Sequence, residues 1–128
     1  MLIVRYEESF RRMGSLKETF ACSELELRAL KVYKHYRHGE ALGKHSDITG
    51  TFDDTTLTIL TDDAAFIDAA IGHGLVGGCP FVGQIADMMG EDGWSNHVDR
   101  FIAAGIDGDD LTTLIQIWHI DTTEREED

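Results

Sequence analysis

The stretch Ile48-Thr49-Gly50-Thr51-Phe52-Asp53-Asp54-Thr55-Thr56-Leu57-Thr58-Ile59-Leu60-Thr61 decides the fold class. Threonine and β-branched residues dominate it, and these fit a pleated, half-buried surface better than a helix. Asp53-Asp54 divides two such runs, so the segment reads as a β-hairpin with Leu57 and Ile59 turned inward and the threonines outward. A turn of two Asp is weaker than Asn-Gly, which leaves the register open. With this segment the chain reads as an α+β domain; without it, as mostly α.

Upstream, Met1 to Tyr6 is a short β-branched and aromatic run and reads as a further strand. Ser23 to His38 reads as a helix. Ser23 is its N-cap, Glu26 completes a capping box, Leu27, Leu30, Tyr33 and Leu42 contribute to one face, and Gly39 is the stop. The alternation Glu24-Leu25-Glu26-Leu27-Arg28-Ala29 also fits a strand.

Downstream, the punctuation is that of short helices. Asp62 and Asp63 cap a stripe of Phe66, Ile67, Ala70 and Ile71, which Gly72 and Gly74 end. Pro80 suits a first helical position before Phe81, Val82, Ile85, Met88 and Met89. Asp92 is the expected cap of a helix with Trp94, Val98, Phe101 and Ile102 on one face. Gly105 followed by Ile106 marks its left-handed end. Leu111, Leu114, Ile115 and Trp118 fall at helical spacing behind Asp109 or Asp110, although Thr112, Thr113, Ile115, Ile117 and Ile120 also suit a strand. The expected architecture is a sheet of two or three strands near the N-terminus packed against four or five helices.

At 128 residues the chain matches one domain, residues 1–128, and its 42% apolar share lies above the disordered range. No run approaches the ~20 apolar residues of a membrane span. The start is too short in its apolar part for a secretory signal. The two cysteines, Cys22 and Cys79, are therefore expected as free thiols in a reducing, cytoplasmic setting.

Charge is the strongest global signal. Twenty-four acids face 11 Lys and Arg, a net of −13. Residues 1–46 hold nine bases and six acids; residues 47–128 hold two bases and 18 acids. The basic patch centres on Lys31, Lys34 and Arg37, interleaved with Tyr33, His35, Tyr36 and His38 and followed by Lys44-His45. Such a run can grip phosphates and stack bases. In a chain of this net charge the long-range field disfavours direct nucleic-acid binding, and neutralisation of an acidic neighbour is the simpler use.

No catalytic or metal constellation is complete. His38-Gly39-Glu40 supplies half of a zinc deaminase signature, but no P-C-x-x-C follows. Asp107, Asp109 and Asp110 around Gly108 fail the EF-hand spacing, since Thr112 and Trp118 stand where Gly and Glu are required. A helix cap explains that cluster better. Gly72-His73-Gly74-Leu75-Val76-Gly77-Gly78-Cys79-Pro80 can expose a thiol at a helix N-terminus with His73 as base, or can simply link two helices. His97 reads as a hydrogen-bonded core histidine beside Trp94 and Phe101. Met88, Met89 and Trp118 read as core, or as a contact patch if exposed together.

The expected function is that of a small acidic interaction protein. It would bind and inhibit or regulate a partner protein with a basic surface, presenting carboxylates where a groove expects nucleic-acid phosphates. Asp107, Asp109, Asp110, Asp121 and Glu124 are the candidate contact residues. No cofactor, metal or membrane enters this reading. The alternatives are a small thiol enzyme using Cys79 and His73, and a structural homo-oligomer joined by the basic segment.

Overall fold

The computed structural model describes residues 1–39 and 47–123, so Glu40, Leu42, Lys44, His45 and Glu124 lie outside the described residues. The chain forms two compact units, Met1–Cys79 and Pro80–Asp128. The fold is α+β; among the described residues five strands lie in the first unit and three of the five α-helices in the second.

In the first unit β1 (Leu2–Ser9) and β2 (Ser15–Cys22) form a long antiparallel hairpin, Leu2 opposite Cys22 and Ser9 opposite Ser15. A 3₁₀ turn, Arg11–Met13, joins them, closed by Gly14 at φ +111°. β1 is buried on both faces at its start, where Leu2, Ile3, Val4 and Tyr6 are inaccessible or nearly so. β2 is buried only at Phe20, Ala21 and Cys22; its charged first half lies in solvent.

The helix α1 (Glu24–Tyr33) starts as expected. The Glu26 amide donates to Ser23 Oγ at 3.1 Å, and the Ser23 amide returns a bond to Glu26 Oε1 at 3.2 Å. It does not run to His38. Lys34 turns to φ +68°, and the chain continues as β3 (His35–Gly39), antiparallel to β4 (Asp47–Thr51). The period explains the switch: Tyr36 and His38 are buried while His35 and Arg37 are exposed, a strand's alternation.

The expected hairpin between β4 and β5 (Leu57–Thr61) is likewise absent. β5 pairs with β1 instead, giving a sheet of order β2-β1-β5. Asp53 to Thr56 forms a tight side-chain-bonded turn that redirects the chain. Asp53 Oδ1 accepts from the Thr55 amide at 2.8 Å, and Thr56 Oγ1 donates to the Thr51 carbonyl at 2.6 Å. The Asp53 carboxyl is held below the ordinary range, chiefly by the Thr55 hydroxyl and amide. Leu57 is buried as expected, but Ile59 is 52% exposed because β5 is an edge strand.

α2 (Ala64–Gly72) is capped by Asp63, which accepts from the Phe66 amide at 3.2 Å. Its inner face is narrower than the apolar stripe suggests. Ile67 and Ala70 pack on Ile3 of β1, with Val76 at the margin, while Phe66 and Ile71 face solvent.

The second unit consists of α3 (Val82–Asp92), α4 (Ser95–Ala103) and α5 (Gly108–Trp118). Pro80 precedes α3 by two residues rather than opening it. Asp92 closes α3 instead of capping α4; Gly93 at φ +92° makes the break, and Trp94 stands at the α4 cap. Met89, Phe101, Ile106, Leu114 and Trp118 are fully or almost fully buried, and Trp94 stacks on Phe101 at 6.0 Å. α4 ends as expected at Gly105, φ +85°: the Ile106 amide reaches the Phe101 carbonyl and the Gly105 amide the Ile102 carbonyl. The segment from Gly108 to Trp118 is helix, not strand. Its cap is Asp107, with Asp109 and Asp110 in the first turn rather than at the cap itself.

Candidate functional site

The division into units concentrates the charge. Pro80–Asp128 holds twelve acids against Arg100 and Arg125, a net of −10, whereas Met1–Cys79 holds twelve acids against nine bases, a net of −3. All eight acids described in the second unit are exposed: Asp87, Glu91, Asp92, Asp99, Asp107, Asp109, Asp110 and Asp121. Helical segments force this arrangement. Each helix turns its apolar stripe inward, so the remaining positions, rich in Asp and Glu, must face water.

The expected contact residues separate into two groups. Asp107, Asp109 and Asp110 lie at the start of α5, where negative charge meets the positive end of the helix dipole. Asp121 lies past its other end, roughly 16 Å along the axis for eleven residues. There Asp121 and His119 join Asp87, Glu91, Ala86 and Gly90 of α3 around a polar recess of about 220 Å³. Asp121 Oδ1 accepts from the Thr123 amide at 2.9 Å, which fixes the carboxylate. His119 takes a left-handed conformation, φ 53°, to end α5, and this directs the chain back past α3. Asp87 and Glu91 were not among the expected site residues. Their signal is the i, i+4 spacing of two like charges on one helix face, an arrangement that costs helix stability.

Among the described residues, no group of three or more His, Cys, Asp and Glu is placed to hold a metal ion. No helix of the described chain is long and apolar enough to cross a membrane. His97 is buried with Trp94 and Phe101, and its Nε2 lies 3.1 Å from Asp92 Oδ2.

The basic patch is dispersed over three elements. Lys31 on α1 pairs with Asp54 at 2.6 Å, Lys34 occupies the helix break near Asp53, and Arg37 projects from β3. Lys31 and Lys34 thus meet the acidic Asp53-Asp54 turn of their own unit.

Cys79 does not sit at a helix N-terminus, since α3 begins three residues later. A parallel bridge between Ala21 and Gly78 instead carries it alongside Cys22. Both thiols are free; Cys22 is buried and Cys79 half-buried. Burial pushes the Cys22 thiol up to about 12, with Glu26 and Cys79 adding to the effect. His73 stands exposed at the end of α2.

A further polar cluster lies in the core of the first unit. Tyr6 Oη donates to Glu8 Oε1 at 2.9 Å, and the same carboxylate oxygen accepts from the Thr51 amide at 2.7 Å. His38 Nε2 is 3.2 Å from Tyr6 Oη, and its ring packs on Tyr36 and Tyr6. Burial raises the Tyr6 phenol and lowers the His38 imidazole; Glu8 adds to the first shift and opposes the second. The cluster ties β1 to β3 and β4.

No protein family, curated protein or solved structure matches this chain.

Proposed function

We propose that this protein binds a basic surface on another macromolecule through the carboxylates of its second unit, and inhibits or regulates the partner by occupying that surface. The observation that carries the proposal is the exposure of every described acid in a unit with twelve acids and two bases. Lysines and arginines arrayed to hold phosphates can exchange counterions for carboxylates by the same electrostatics. Such a partner would include proteins whose basic groove otherwise holds nucleic acid. The recess of Asp87, Glu91, Asp121 and His119 suits one cationic side chain of the partner, and the α5 start suits a second contact.

The test is affinity capture from the native host at about 50 mM and about 300 mM salt, the screening length falling by roughly half or more between them. The wild type is compared with D87N/E91Q/D121N and D107N/D109N/D110N. The proposal expects a partner retained by the wild type at low salt, released at high salt, and bound about tenfold more weakly by either variant. Duplex DNA or RNA should displace that partner where its surface is a nucleic-acid groove. An identical set of captured proteins for all three chains at both salt concentrations would overturn it.

A further inference from the structure

The first unit carries a surface that the acidity of the second does not explain. β5 is an outer strand, and nothing among the described residues pairs its far side. The Glu7 amide donates to the Thr56 carbonyl at 2.9 Å, so Arg5 and Thr58 are the next bonded pair, and Ile59, opposite Val4 in the following non-bonded position, turns its N–H and C=O to the open edge. Sheet edges are ordinarily protected by lysine, proline, bulges or a covering segment. Leu57 to Thr61 contains neither charge nor proline; its register against β1 shifts at Leu60, and Ile59 and Leu60 are half exposed.

Beside this edge, Leu60, Phe66, Leu75, Val76 and Ile3 wall an apolar groove of about 600 Å³, within the size range of ligand pockets. Leu75 is 81% exposed and Phe66 59%, values that solvent alone does not favour for side chains of this size. Asp63 is the one charged residue among those lining the groove, and Asp62 adjoins it in the chain.

We propose that this edge accepts an extended segment of a partner protein as an added β-strand, with an apolar side chain in the groove and a neighbouring lysine or arginine against Asp63. Backbone pairing at an edge with side-chain selection in an adjoining pocket is a general mode of peptide recognition. Charge selects this occupant over a second copy of the chain. Leu57 to Asp63 holds no lysine or arginine of its own to set against Asp63, and parallel self-pairing would set Asp62-Asp63 of the two copies together. Like charges facing across strands are destabilising. The surface lies within the first unit and does not rest on the proposed role of the second.

Three synthetic nine-residue peptides test it: one alternating valine and lysine around a central leucine, one with each lysine replaced by glutamate, and one lysine peptide N-methylated on alternate amides. Anisotropy titration should show the lysine peptide binding at least about tenfold tighter than either of the others. Saturation with it should slow hydrogen exchange at the Ile59 amide. Asp63→Asn retains a competent helix cap yet should weaken binding several-fold, and Phe66→Ala, at an exposed position, should do the same. Equal binding of the lysine and glutamate peptides, no binding of any, or unchanged Ile59 exchange at saturation would each overturn the proposal. Ile59 protection that grows with protein concentration in the absence of peptide would assign the edge to a second copy and overturn it as well.

Discussion

Tyr6 Oη and His38 Nε2 meet at 3.2 Å over Gly50, whose missing side chain makes their approach possible. A Cβ built on Gly50 would lie 2.6 Å from both atoms and 2.9 Å from His38 Cδ2. All three residues are held by packed strands, so none of these contacts can relax at a flexible tip. Gly50 is therefore required by space, although it sits in a strand where glycine is otherwise unfavourable.

Gly50→Ala should consequently destabilise the first unit by about 1–3 kcal/mol, the usual range for overpacking a core. Thermal unfolding followed by circular dichroism would show it as a lower midpoint. Gly83→Ala is the matched control, because a Cβ there meets nothing within 4 Å in α3. The control should be neutral or slightly stabilising. Equal midpoints for the two variants would contradict the packing described here.

The buried imidazole makes a pH prediction whose sign is fixed. The His38 pKa is lowered, chiefly by burial, so between its unfolded value of about 6.5 and its lower folded value the unfolded chain binds the extra proton. Stability from this group is complete above about pH 6.5 and is lost as the pH falls through the folded value. Urea unfolding from pH 7.5 to pH 5 should show wild type losing more stability than His38→Asn. Parallel pH profiles for the two proteins would exclude His38 as the source.

The thiols should differ in reactivity. Cys22 is buried with its pKa pushed up to about 12, so at pH 8 it should resist iodoacetamide until the first unit unfolds. Cys79, half-buried beside it, should label faster. Peptide mass mapping over a labelling time course reads both rates. Rapid labelling of Cys22 in the folded protein would contradict the burial of the end of β2.

Local signals were legible in the sequence, and pairings between distant segments were not. The Ser23–Glu26 capping box, the Asp63 cap and the Gly105–Ile106 ending each involve neighbours a few residues apart, and each stands as read. β2 gave little signal because Lys17, Glu18 and Thr19 lie in solvent and only its end is apolar. β3 was hidden by the helical spacing of Leu27, Leu30 and Tyr33 just before it, although Tyr36 and His38 carry a strand's alternation. Adjacent β-rich runs suggested a β4–β5 hairpin, but Asp53 and Thr56 bond to their own backbone neighbourhood and send β5 to β1. The acidic recess was half legible. Asp87 and Glu91 share a helix face by spacing alone, whereas their meeting with His119 and Asp121 depends on how α5 ends. Phe66 read as part of an apolar stripe because sequence cannot distinguish an apolar residue that packs from one that lines an open groove.

The carboxylates of the second unit are the groups proposed to hold the partner, and a salt titration of the captured partner examines them most directly. The logarithm of the binding constant for the purified partner should fall steeply and linearly with the logarithm of salt concentration. In D87N/E91Q/D121N the slope should be shallower, with the fold unchanged by circular dichroism. A slope that is flat in the wild type, or the same in both proteins, would contradict the account.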